Sequence, residues 1–203
     1  PVNNVPGAQT TLEDTAKVFS TANSNAISVS DVDAASSAVK VTLSVLHGTL
    51  TLSGTTGLTF VDSTANGAAT VAFTGSLSAI NAALNGLSYQ PASNYNGSDT
   101  LTIVSNDQGN TGSGGALSDT DTVAITVTSV NDAPAGTNTT VTTNEDTTYT
   151  FAAANFGFSD PIDSPANVFN RVKITALPGL GTLKVSGTAI AAGDFESVAS
   201  IPN

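Results

Sequence analysis

Carboxylates and side-chain amides are unevenly spread along this chain. They gather at the ends of alternating apolar stretches: Glu13-Asp14, Asp31-Val32-Asp33, Asn106-Asp107, Asp119, Asp121 and Asn131-Asp132. Carboxylates crowded together repel, and a hard cation ringed by about six to eight oxygens relieves that repulsion while tying loops to one another. Calcium suits irregular loop ligands better than magnesium, which demands a near-octahedral shell. With one histidine, His47, and no cysteine, zinc and copper lack their usual ligands. The same residue types also make turns and cap strands, and for any single Asp that structural use is the expected one. The acidic pairs taken together favour a metal.

Other chemistry has less to draw on. His47 precedes Gly48 at a strand end with no identifiable Ser-His-Asp arrangement, so nucleophilic catalysis has no partners and an enzyme is the least expected reading. Tyr89 precedes "QPASNYNG" and Tyr95 lies within it; they suit either stacking on a sugar ring or packing a sandwich corner, and the corner is favoured. "NGS" at 96–98 and "NTT" at 138–140 match glycosylation acceptors, a short pattern of low specificity. The segment Asn106 to Asp119, about 14 residues, exceeds ordinary hairpin loops and leaves room for a binding role or for simple slack. Five basic residues against sixteen acidic ones give a net charge of −11 and no basic patch, which excludes nucleic acid as an expected partner.

The elements that must position these residues are strands. "AISVSD", "VKVTLSV", "GTLTLSG", "ATVAFTG", "DTLTIVSND" and "DTVAITVTSV" alternate with period two between Gly, Asn, Asp or Pro, as half-buried antiparallel strands of a sandwich do. The exception is "SLSAINAALNGL", where Ile80, Leu84 and Leu87 fall three or four apart behind Ser76 or Ser78, which predicts one short helix ending near Gly86. In a two-layer sandwich the strand ends meet at two poles, and that is where the acids sit. No apolar stretch approaches the roughly 20 residues of a membrane-spanning helix, so no membrane insertion is expected. A start at Pro1 is expected to mark a piece of a longer or processed polypeptide.

The chain also repeats itself. "HGTLTLSGT" at 47–55 returns as "LGTLKVSGT" at 180–188, an offset of 133 residues, "LEDT" at 12–15 returns as "NEDT" at 144–147, and "VKVTL" at 39–43 loosely matches "NRVKIT" at 170–175. Repeats at that spacing mean tandem domains, here 1–133 and 134–203. Glu145-Asp146 takes the place of Glu13-Asp14, and Asp160 with Asp163 that of Asp31 with Asp33. At this offset Asn203 is level with about residue 70, so the second copy is expected to be the first half of a repeat, lacking the helix and the last strands. Half a sandwich exposes strand edges, which implies either a cut segment or completion by another chain.

These motifs resemble the cadherin-like tandem repeats of large secreted bacterial adhesins. "VNDAP" at 130–134 is similar to that family's interdomain linker, "LEDT" and "NEDT" to the acidic start of its first strand, and "DVD" to its paired-aspartate loop, although "SDPID" spaces its acids three apart. The resemblance covers essentially the whole chain. It implies an all-β fold of tandem immunoglobulin-like Greek-key sandwiches, the first with one short helix, and Ca2+ at the junctions, stiffening an extended array. By that likeness Asn131, Asp132, Glu145, Asp160, Asp163 and Asp107 would serve the junction at 131–134, and Glu13, Asp31 and Asp33 the junction before Pro1. The implied function is a calcium-stiffened structural repeat of a secreted or cell-surface adhesin or fibre, whose partners are neighbouring repeats or identical subunits. Two alternatives accompany it: a self-polymerising extracellular filament subunit joined by β-strand complementation, and a module binding cell-surface polysaccharide.

Overall fold

A computed structural model describes residues 1–34, 36–109 and 115–201. The chain divides into two compact units, Pro1–Val130 and Asn131–Asn203.

The first unit contains, in chain order, β1 (Val2–Asn4), β2 (Gln9–Leu12), β3 (Lys17–Phe19), β4 (Ser28–Ser30), β5 (Val39–Ser44), β6 (Gly48–Thr51), β7 (Leu58–Phe60), β8 (Thr70–Gly75), the helix α1 (Leu77–Leu84), β9 (Leu87–Pro91), β10 (Gly97–Asn106) and β11 (Ser118–Thr128). Six strands form one sheet in the order β2-β11-β10-β5-β8-β7, three form a second in the order β3-β9-β6, and β1 pairs with β4. Every pairing is antiparallel except β2 with β11, where Leu12 stands level with Thr128. Alternation explains which side faces inward: Val39, Val41 and Leu43 of β5, Leu101 and Ile103 of β10, and Val123, Ile125 and Val127 of β11 are buried. They share one core with Phe19, Leu50, Leu87 and Tyr89 of the three-stranded sheet, as the two layers of a sandwich would. Each such side chain removed from water contributes about 1.5–3 kcal/mol.

The helix forms where its pattern predicts. Ser76 is its N-cap, with Oγ accepting from the Ala79 N–H at 3.3 Å, and Ile80, Ala83 and Leu84 are its buried face. Asn81 on α1 ties the helix to β4, since its amide donates to the Val29 carbonyl and accepts from the Val29 N–H, both at 2.8 Å. Gly86 closes the element with φ 111° and donates to Phe19 O at 2.8 Å.

The second unit is built from shorter pieces: β12 (Arg171–Lys173) pairs with β15 (Phe195–Ser197), and β13 (Lys184–Val185) with β14 (Thr188–Ala189). Phe151, Phe156, Phe158 and Phe169, expected as its core, do gather into a ring cluster, with Phe158 stacked on Phe169 at 4.9 Å. They remain partly exposed, and among the described residues no apolar side chain of this unit is fully buried.

Local geometry repeats along with the sequence. Thr11 Oγ1 donates to Thr15 O at 2.8 Å and Thr143 Oγ1 to Thr147 O at 3.1 Å, while Asp14 and Asp146 both adopt φ 57°. The antiparallel pairing of β12 with β15 parallels that of β5 with β8. A 3-10 turn at Val198–Ser200, capped by Ser197, follows β15 as α1 capped by Ser76 follows β8.

Candidate functional site: two acidic poles

At the pole where the first unit begins, the Pro1 ammonium lies 2.9 Å from Asp31 Oδ2. That bonded ammonium holds Asp31 down at about 2 against the upward push of burial, and the bond to Asp31 in turn raises the pKa of the Pro1 ammonium. Asp31 Oδ1 accepts from the N–H groups of Asp33 and Ala34, each at 3.1 Å, which sets the turn that carries Asp33. Asp107 accepts from the N–H groups of Gly109 at 2.9 Å and Leu117 at 2.8 Å, which hold its carboxyl below the usual range, and its charge is felt by both Pro1 and Asp31. Asp119 accepts from the Asn3 N–H at 2.7 Å. Asn3 is 8% exposed, and among the described residues neither Oδ1 nor Nδ2 of its side chain has a hydrogen-bond partner.

At the pole where the first unit ends, Glu13 is buried and its carboxylate accepts from the Val130 N–H and from Asn96 Nδ2. The expected grouping is therefore corrected in two places. Glu13 does not join Asp31 and Asp33 at the beginning of the unit, and Asp107 does not stand at its end; the two exchange poles. Topology is the reason. Glu13 follows β2, which runs parallel to β11 and so finishes beside it, whereas Asp107 follows β10, whose last residue Asn106 stands level with Lys40 at the start of β5, beside the Asp31–Asp33 turn.

The second unit assembles its own set at its beginning. Asp163, 9% exposed, accepts from the Asp132 N–H at 2.8 Å and from Asn167 Nδ2 at 2.6 Å, and Asp160, 8% exposed, accepts from the Asn167 N–H at 2.5 Å. Asn167 Nδ2 also donates to Asn131 Oδ1 at 3.0 Å. Two buried carboxylates thus share one asparagine, and no basic side chain pairs with either among the described residues. Glu145 is exposed. Asn167 and Asn3 are the residues that reading the acids alone misses. Asn3 had a signal, since Val2-Asn3-Asn4-Val5-Pro6 repeats as Val130-Asn131-Asp132-Ala133-Pro134, which makes Asn3 the counterpart of Asn131.

The test for a metal gives two observations of different weight. Among the described residues no three Asp, Glu or His side chains converge closely enough to hold an ion by themselves. Calcium, however, also takes amide and backbone oxygens. Asn3, Asn131 and Asn167 supply amides at these poles.

The aromatic corner is built for packing. Tyr89 is fully buried and donates to Asp99 Oδ2 at 2.8 Å. Tyr95 donates to Ser98 O at 2.6 Å and stacks on His47, centroids 4.2 Å apart. Residues 110–114 of the long loop lie outside the described residues. Among the described residues no helix is long and apolar enough to cross a membrane. Comparison with protein-family models, with curated proteins and with solved structures found no match.

Proposed function

We propose that the chain is a pair of tandem structural repeats of a secreted or cell-surface adhesin or fibre, with the fold of cadherin-like Greek-key sandwiches, stiffened by calcium at the acidic start of each unit. The observation that carries the reading is the Asn131–Asp132–Asp160–Asp163–Asn167 network, where two buried carboxylates, with no basic partner among the described residues, close on the linker residues. Two like charges in partly desolvated surroundings repel, and a divalent ion offsets that repulsion. Asp160, Asp163, Asp132 and the Asn131 amide would hold it in the second unit. Asn3, Asp31, Asp33 and Asp107 would do so in the first, in place of the Pro1 ammonium. An ion in the second unit would draw Asn131 and Asp132 onto the Asp160–Asp163 loop, while Glu13 already anchors Val130. The linker would then lose freedom from both sides, and stiffness would be the activity.

Small-angle scattering with and without calcium tests this. Calcium is expected to narrow the distribution of radii of gyration and chelator to broaden it, with Asp132→Ala behaving like the chelated protein. Distributions that ignore both calcium and the substitution would sink the reading.

A further inference from the structure

The outward face of β12 and β15 holds an exposed phenyl ring with two cations over it. Arg171 stands level with Ser197 and Lys173 with Phe195, while Val172 and Glu196 alternate to the side that lines the unit's interior groove. Arg171 Cζ lies 5.6 Å and Lys173 Nζ 5.4 Å from the ring centre of Phe195, which is 58% exposed. Two of the chain's five basic residues thus meet on one three-residue strand of a protein of net charge −11.

The first unit shows what is different about this face. Its matching positions are Ala38, Lys40 and Thr74, with Lys40 level with Thr74 as Lys173 is with Phe195. There the lysine is neutralised, Lys40 Nζ lying 2.6 Å from Asp62 Oδ2. Neither Arg171 nor Lys173 makes an ion pair among the described residues. Of the acids adjoining Phe195, Asp194 turns back on its own loop, Oδ2 accepting from the Ala191 N–H at 2.7 Å, and Glu196 alternates to the other side. Lys40 and Thr74 stay part-exposed although β5 and β8 are flanked by β10 and β7, so strands beside β12 and β15 would leave this face open.

We propose that this face is a binding site for an acidic polysaccharide, one uronate seated with its carboxylate on Arg171 and Lys173 and the C–H face of its ring against Phe195. A guanidinium fork takes a carboxylate through two parallel bonds, and the ammonium adds a point charge beside it. The phenyl ring draws both cations over itself, which holds them in place, and its exposed carbons offer apolar surface to a sugar. An inorganic anion would use the cations alone and a neutral sugar the ring alone. A nucleic acid would bring its dense phosphate charge against an otherwise acidic surface, which opposes it. The inference does not depend on any bound ion.

The test titrates the full isotope-labelled chain with trigalacturonate in metal-free, low-salt buffer, followed by the NMR shifts of its backbone amides, with neutral galactotriose and inorganic sulfate run in parallel. Trigalacturonate is expected to move the signals of 171–173 and 195–197 saturably. Arg171→Ser/Lys173→Ser should weaken it by roughly tenfold or more, because the charge-assisted bonds are lost. Phe195→Thr, which installs the first unit's residue, should weaken trigalacturonate and leave sulfate unchanged. Raising salt from about 0.01 M to about 1 M should release the trisaccharide from the unsubstituted chain, a measurement that needs no variant. No shift at these residues at millimolar trisaccharide, or shifts that survive the double substitution, would overturn the proposal. So would sulfate binding as tightly as trigalacturonate, which would reduce the face to a simple anion site, or a single-stranded DNA of equal charge binding more tightly.

Discussion

Asp99 gives the sharpest stability prediction. Its buried carboxylate accepts from the N–H groups of Leu46 at 3.1 Å and Thr100 at 2.7 Å through Oδ1, and from the His47 N–H at 2.9 Å and the Tyr89 hydroxyl at 2.8 Å through Oδ2. Burial pushes its pKa up, but those four donors outweigh it and hold the carboxyl below the usual range. In Asp99→Asn the amide must turn its NH2 toward one of the two donor pairs. The cheaper placement is the Oδ2 side, where the Tyr89 hydroxyl can rotate to accept and only the His47 N–H is left without a partner. A buried orphaned donor costs about 1–3 kcal/mol, and loss of charge assistance on the remaining bonds adds to it, so about 2–4 kcal/mol is expected. Urea unfolding of the first unit at pH 7, followed by tyrosine fluorescence, measures this. Because the folded pKa is depressed, the carboxylate's contribution is present above about pH 3.9, the unfolded value, and is lost as pH falls through the folded one. The gap between wild type and variant should therefore close in acid. A variant within about 0.5 kcal/mol of wild type at pH 7 would refute the reasoning.

Gly48→Ala should cost about 2–3 kcal/mol in the first unit, since the methyl meets the Gln90 backbone, while Gly181→Ala is limited to the strain of its φ of +84°; paired urea curves separate them. The Pro1–Asp31 pair has two pH limits: the depressed Asp31 loses its contribution as pH falls from about 3.8 toward about 2, and the raised ammonium loses its own as pH climbs above 8.0 through its higher folded value. Blocking the Pro1 nitrogen should abolish the upper limit in a melting-temperature profile and leave the lower one reduced. Tyr89→Phe should destabilise the first unit by about 1 kcal/mol, and should be non-additive with Asp99→Asn in a double-mutant cycle.

Much of the first unit was legible because its long strands alternate cleanly. β5, β8, β10 and β11 each run six residues or more, enough for period two to show. β1, β3 and β7 have three residues each, too few to carry a period, and β9 was hidden because Leu87 continues the helical spacing of Ile80 and Leu84 although the chain has already turned at Gly86. The acidic clusters were legible as types but not as places. No local pattern announces that β2 pairs parallel with β11, so nothing in "LEDT" says which pole Glu13 occupies. Asn167 carries no charge and stands in no motif, yet it links Asp160, Asp163 and Asn131.

The most direct test of a calcium-stiffened repeat is calorimetric melting of metal-free protein in about 5 mM calcium, in equal magnesium and in chelator. For a site of the affinity common in extracellular modules, Kd about 10⁻⁴–10⁻³ M, linkage predicts about 1–2 kcal/mol of added stability. That is a rise of several degrees, specific to calcium and lost in Asp160→Asn/Asp163→Asn. Identical melting curves in calcium and in chelator would contradict the account.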